Sequence, residues 1–234
     1  MKVSAIVVAA GSGVRLGSDV PKAFVKLAGR TMLSYSLVTI RQVSSQGHSI
    51  NEVVITIPDG FEKAARAEVA AAGLGVPVKI TPGGVERQDS VRIALELTSA
   101  ESELVIVHDA ARPLATPAIF EACLVAAARA GGAIAAIPVS DTLKRVADGA
   151  IAATVARAGL WQAQTPQAFR RDALIAAHQR ALSEKIVATD DADLVERTGA
   201  RVEVVEASTN NIKITTPSDL AIVEAIISAQ SLSS

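Results

Sequence analysis

The chain has 234 residues, of which 50% are hydrophobic and 20% charged, a balance that excludes a disordered tail and supplies a core without disulfides or a structural metal. Lys and Arg number 23 against 24 Asp and Glu, a net charge of −1, so no basic face is implied. With aromatics at only 3%, base-stacking platforms are scarce as well, and general nucleic-acid binding is not expected.

Lys2 followed by the small and apolar run 3–10 superficially resembles a secretory leader. The run is short for one, and it equally suits a buried parallel strand opening into a Gly-rich turn, which is the reading adopted. Apolar, β-rich runs recur at 3–8, 53–57, 76–80, 104–107 and 133–137, and helical patterns fall near 31–43, 61–72, 89–98 and 117–130. The first three alternations give the βαβ rhythm of a parallel sheet. Residues 142–146 and 150–155 then flank Asp148-Gly149, a two-residue turn signal that predicts a β-hairpin inserted into an α/β domain. A short extended piece at 161–164, helices near 170–182 and 190–198, a strand at 201–205 and a closing helix from about Pro217 complete the pattern. Charges such as Glu121, Arg129 and Glu224 keep every apolar stretch short of the ~20 residues a bilayer requires, so no membrane contact is expected. The lone cysteine, Cys123, reads as core filler in a reducing, cytoplasmic setting. At about 150 residues per domain the length gives roughly 1.6 domains. The absence of linkers or repeats favours one domain over 1–234, with no second enzyme domain expected after it. The predicted class is α/β, a mostly parallel sheet flanked by helices with a protruding β-hairpin arm, its active edge at the C-terminal ends of the parallel strands.

The first strand empties into Ala9-Ala10-Gly11-Ser12-Gly13-Val14-Arg15-Leu16-Gly17, with Pro21-Lys22 after it. Glycine lets backbone amides approach and cradle phosphate oxygens. The dinucleotide fingerprint GxGxxG would need glycine at Leu16 and an acidic strand end about 20 residues on, and a Walker loop would need glycine-lysine-serine or threonine. Neither is present. What remains is either a Gly turn whose cations Arg15 and Lys22 neutralise a triphosphate, or a tight turn with two solvated charges.

Further clusters follow in order: Gly83-Gly84-Val85-Glu86-Arg87-Gln88-Asp89-Ser90, His108-Asp109-Ala110-Ala111-Arg112-Pro113, Asp141-Thr142-Leu143-Lys144, Thr165-Pro166-Gln167, Thr189-Asp190-Asp191-Ala192 and Asn211-Ile212-Lys213-Ile214-Thr215. Together with the first loop they resemble the 2-C-methyl-D-erythritol 4-phosphate cytidylyltransferase family over nearly the whole chain. Ala168-Phe169 and Ala156 depart from the family pattern without touching a residue assigned to chemistry.

The resemblance implies a Rossmann-like nucleotidyltransferase sheet and transfer of a cytidylyl group from CTP to methylerythritol phosphate, with release of pyrophosphate, in non-mevalonate isoprenoid synthesis. It implies Arg15, Lys22 and Lys213 as catalytic cations. Ala9, Ala10, Gly11, Gly13, Gly84, Arg87, Ser90 and Asp109 would bind the nucleotide, and Arg112, Thr142, Arg157 and Thr189 the sugar phosphate. Mg²⁺ or another divalent ion would sit mainly on the substrate phosphates beside Asp109. The 141–157 hairpin would be a dimerisation arm of a homodimer, carrying Arg157 to the neighbouring subunit's site.

Plainer readings stand beside several of these. Asp109 could simply pair with Arg112, Arg87 and Asp89 could be ordinary helix-start residues with Asp89 or Ser90 as cap, and His108 reads as a core histidine bonded to backbone. Asp191-Ala192-Asp193 matches the DxD metal motif of glycosyltransferases, but it opens a helix, where acids cap and meet the dipole. Rival functions are a cytidylyltransferase for another polyol phosphate, such as ribitol 5-phosphate, or a non-catalytic nucleotide-sugar binding protein.

Overall fold

A computed structural model describes residues 1–13, 16–43 and 48–232, and the expected site residue Arg15 lies outside them. The chain opens with β1 (Lys2–Val8), whose side chains alternate between two cores: Val3, Ala5 and Val7 face one, Ile6 the other. A small hairpin, β2 (Lys26–Leu27) and β3 (Arg30–Thr31), leads into α1 (Met32–Gln42), where the Thr31 hydroxyl caps the helix by accepting from Ser34 N at 3.0 Å. Next come β4 (Ser49–Ile57), α2 (Glu62–Ala72), β5 (Val78–Pro82), α3 (Arg87–Glu96), β6 (Leu104–Asp109), α4 (Pro117–Ala130) and β7 (Gly132–Pro138). Strands β8 (Leu143–Ala147) and β9 (Ala150–Val155) form the expected hairpin as a separate two-stranded sheet. Asp148 at φ 49° and Gly149 at φ 77° make its turn, the left-handed pair that a two-residue connection between twisted strands demands. The chain closes with β10 (Trp161–Arg170), α5 (Arg171–Glu184), α6 (Asp191–Glu196), β11 (Val202–Glu206) and α7 (Pro217–Leu232).

The main sheet has seven strands in the order β11-β7-β10-β6-β1-β4-β5. Pairs β1–β4, β1–β6, β4–β5 and β7–β11 are parallel, while β10 runs antiparallel to both β6 and β7. The sheet is therefore mostly parallel with helices on both faces, as the apolar runs predict. One face packs on α1, α2 and α4 through Leu33, Ala65 and Phe120, the other on α3, α5 and α6 through Val91, Leu174 and Val195. A third cluster, with Leu27, Met32, Ile214 and Val223, seats α7 on the small hairpin.

Several boundaries differ from expectation, among them β4, which begins at Ser49 rather than 53, and β5, which runs 78–82 rather than 76–80; two others differ for identifiable reasons. The extended piece predicted at 161–164 continues to Arg170 as a central strand, its register shifting between Ala163 and Gln167. Pro166 inside the run reads as a strand terminator, yet the shift absorbs it. Helix α3 begins at Arg87 rather than 89, because Glu86 is its N-cap and Asp89 the third residue of a reciprocal capping box, with Glu86 N donating to Asp89 Oδ2 at 3.3 Å.

Candidate active site

The parallel strands β1, β4, β5 and β6 all end on one edge, and their following loops wall a cavity of about 340 Å³. Lys22, Ala9, Ala10, Gly11 and Gly13 line it from the first loop, Gly84, Arg87 and Ser90 from the loop after β5, and Asp109 and Lys213 from β6 and the 211–215 segment. Ten expected site residues thus meet in one place. Arg112, Thr142, Arg157 and Thr189 are not among its lining residues.

Glycine is required at the tightest contacts. Gly13 has φ 73°, and a Cβ there would stand 2.9 Å from Lys22 Cβ; a Cβ on Gly83 would stand 2.2 Å from Ala10 Cβ, and one on Gly84 would stand 2.3 Å from Asp89 Cβ. All three lie inside the van der Waals limit, so a missing side chain lets Gly83 bring the loop after β5 onto the first loop, lets Gly13 take Lys22 against it, and lets Gly84 fold its own loop onto the start of α3. Ser90 fixes that loop from below: its buried hydroxyl accepts from Gly84 N at 3.0 Å and donates to Glu86 O at 3.2 Å.

The cations arrive by backbone anchoring. Lys22, on the short 3₁₀ turn Lys22–Phe24, donates from Nζ to Ile214 O at 2.7 Å, and Ile214 N donates to Ala111 O at 2.8 Å. Asn211, at the start of the same segment, donates from Nδ2 to Gln164 Oε1 at 2.8 Å and to Thr165 O at 3.0 Å, and its own carbonyl accepts from Arg112 Nη1 at 2.7 Å. Lys213 is held between these anchors, and its Nζ donates to Asp109 Oδ2 at 2.6 Å.

Asp109 therefore pairs with Lys213 and, through Oδ1, with Arg87 Nε at 2.8 Å; the pairing with Arg112 weighed from sequence is not formed. Burial would raise the Asp109 carboxyl, but the Arg87 and Lys213 charges and hydrogen bonds hold it well below the usual carboxylate range. Arg87 is no ordinary helix-start residue. Burial acts to lower its affinity for its proton, yet Asp191 and Asp109 together raise it. Asp191 is likewise not the cap of α6: Asp190 takes that role, its Oδ1 accepting from Asp193 N at 3.0 Å, and Asp191 is buried against Arg87 and His178. His108 is a core histidine as expected, but a side chain supplies a partner, the Thr165 hydroxyl 3.2 Å from Nδ1. Burial pushes its imidazolium down to about 4.

The family model described as 2-C-methyl-D-erythritol 4-phosphate cytidylyltransferase matches residues 3–229. The chain belongs to this family. Relatives bearing that name include one from Pelotomaculum thermopropionicum, 42% identical over 98% of this chain and 95% of its own, and one from Deinococcus radiodurans, 44% identical over 96% and 89%. Among solved structures, the cytidylyltransferase of Thermus thermophilus superposes with a TM-score of 0.79 at 35% identity, covering 95% of this chain and 97% of that one. The 4-diphosphocytidyl-2C-methyl-D-erythritol synthase of Anaerococcus prevotii gives a TM-score of 0.84 at 29% identity, covering 97% and 96%.

In this cytidylyltransferase chain the residues expected to hold the sugar phosphate are dispersed. Arg112 is buried beneath the 211–215 segment, whereas Thr142 and Arg157 are exposed at the two ends of the arm and Thr189 is exposed just before α6. Sequence reasoning missed His178, Gln164 and Asn211 as organisers of the edge. Asn211 stands in a motif cluster, but its partners Gln164 and Thr165, 47 and 46 residues away, cannot be read from it, and His178 meets Asp191 from a different helix.

Proposed function

We propose that this chain transfers the cytidylyl group of CTP to 2-C-methyl-D-erythritol 4-phosphate, releasing pyrophosphate, at the cavity on the C-terminal edge of the sheet. The observation that carries the reading is the convergence of ten motif residues on that cavity in a chain matching the family over residues 3–229.

The attacking group is a phosphate monoester with a second pKa near 6, mostly a dianion at neutral pH, so it needs no protein base. One of its oxygens bonds to the α-phosphorus as the bond from that phosphorus to the β-phosphate oxygen breaks. The chain's part is alignment and charge neutralisation. Lys22 and Lys213, with Arg15, place positive charge around the α-phosphorus. Asp109 stays a carboxylate and takes no proton, since both its oxygens accept from cations. Ala9, Ala10, Gly11, Gly13 and Gly84 offer backbone to the nucleotide, and Ser90 sets the Gly84 amide. A fixed backbone acceptor facing the cytosine amino group would reject uracil, which presents an acceptor there.

The cavity suits a divalent ion held mainly by substrate. Among the described residues no group of three or more His, Cys, Asp or Glu stands ready to ligate a metal; of the two carboxylates that line the cavity, Glu86 and Asp109, Asp109 would neighbour a Mg²⁺ held mainly by the triphosphate. When bound, such an ion neutralises charge on the departing pyrophosphate.

For the acceptor we assign Arg112, Thr142, Arg157 and Thr189, brought together in a homodimer through the 141–157 arm. The arm supports this reading through its apolar surface: Val146 and Ile151 face each other across β8 and β9 yet are 59% and 66% exposed. No helix of the described residues is long and apolar enough to cross a membrane, and a cytoplasmic setting fits the buried, unpaired Cys123. Incubating the protein with CTP, Mg²⁺ and each of several polyol phosphates, with pyrophosphate as readout, tests the assignment. Methylerythritol phosphate is the expected acceptor, and preferential turnover of ribitol 5-phosphate would overturn it.

A further inference from the structure

From Lys213 at the cavity wall a single file of side chains runs back into the packing between α3, α5 and α6. Lys213 Nζ donates to Asp109 Oδ2 at 2.6 Å, Arg87 Nε to Asp109 Oδ1 at 2.8 Å and Arg87 Nη1 to Asp191 Oδ2 at 2.8 Å. His178 Nε2 stands 3.1 Å from Asp191 Oδ1. The inner members are dry: the side chains of His178 and Asp191 are 2% and 1% exposed. A carboxylate buried so deeply is costly unless paired, and Asp191 is not needed as a cap, because Asp190 caps α6.

We propose that Asp191, steadied by His178, is a positioning residue for the nucleotidyl transfer, holding Arg87 on Asp109 when the triphosphate draws Lys213 away. The inference rests on the function proposed above. Lys213 and Arg87 both line the cavity, and both are tied to Asp109. Once Lys213 turns to phosphate, Arg87 is the one of the two hydrogen-bonded cations left on Asp109. An Arg87 anchored at one end alone would follow the polyanion, leaving a bare carboxylate beside it and the phosphates off line. Asp191 supplies the second anchor, at a different nitrogen of the guanidinium, so the group is pinned in plane as well as in place.

Asp191→Asn keeps the shape and removes the charge. The expected result is a fall in kcat of about thirtyfold, inside the ~hundredfold that a 1 Å misplacement can cost, with KM for CTP changed less than about threefold and CTP-binding stoichiometry intact. In an Arg87→Gln background the same substitution should cost less than about twofold more, since its effect passes through Arg87. Losses that multiply in the double variant, an unchanged kcat, or a loss that only tracks the folded fraction would each overturn the proposal. Should Asp191→Asn not fold, His178→Gln replaces it: a drop in kcat that vanishes in the Arg87→Gln background supports the role, and an unchanged kcat refutes it. If Lys22→Ala and Arg87→Gln also leave turnover intact, the cavity reading itself fails. If those two lose turnover while Asp191→Asn does not, only the role of Asp191 falls.

Discussion

The cavity edge and the β8–β9 arm are built from opposite materials. At the edge, segments from β1, β5, β6 and the 211–215 stretch meet in a close-packed polar cluster whose charges are matched within the chain: Asp109 by Arg87 and Lys213, Asp191 by Arg87. The arm is one pair of strands with its own turn, and Val146 and Ile151 find no cover there. An isolated two-stranded element is marginal in water at best. The buried carboxylates of the edge thus find their partners within this chain, while the arm leaves its apolar pair uncovered, and substitutions in the two regions should fail in different ways.

The strongest test strikes the edge. Lys22→Ala should lower turnover by at least about a hundredfold while CTP affinity falls less, because its charge matters most as negative charge moves in the transition state. Steady-state kinetics beside equilibrium CTP binding separates the two, and a loss confined to affinity would make Lys22 a binding residue only. A second experiment sets the regions against each other. If each site takes Lys22 from one subunit and Arg157 from the other, Lys22→Ala and Arg157→Ala homodimers are both nearly inactive. An equal mixture after subunit exchange should then recover about one quarter of native activity, since about half the dimers are mixed and each carries one intact site. Recovery no greater than the sum of the two variants, with exchange confirmed, would place both residues in one chain's site.

Smaller effects sharpen the contrast through stability. His108 sits in the sheet beneath the edge with its imidazolium pushed down to about 4, against an ordinary value near 6.5. The unfolded chain therefore binds a proton between these values that the folded chain does not, and stability contributed by neutral His108 is present above pH 6.5 and lost as pH falls toward 4. This amounts to about 3 kcal/mol at most. Urea midpoints measured from pH 7.5 to 4.5 should decline, and the decline should flatten in His108→Gln. The smallest effect belongs to Cys123, fully buried with its thiol pushed up to about 12 by burial. Cys123→Ala should leave turnover within about twofold, since the side chain fills space and does no chemistry. The native thiol should resist aromatic disulfide reagents until the chain is unfolded.

Local signals in the sequence determined much of this protein. Apolar runs placed β1, β4, β6 and β7 and their helices, Asp148-Gly149 placed the arm's turn, and the glycines at 13 and 84 marked the close approaches at the cavity. Periodicity and turn chemistry act over a few residues, so they can be read without knowing what lies across the fold. Partnership across the sheet cannot be read that way. Arg87 and Asp109 are 22 residues apart, and Arg87 and Asp191 are 104 apart, so which carboxylates an arginine meets depends on strand order and on the helix packed behind it. The same reasoning covers β10, whose Pro166 stops a strand by local rules while its neighbours β6 and β7 carry it through to Arg170. Only the tertiary structure decided that Asp191 would be a buried counter-ion rather than a cap, because burial next to a charge is a property of the assembled sheet edge and not of any stretch of the chain.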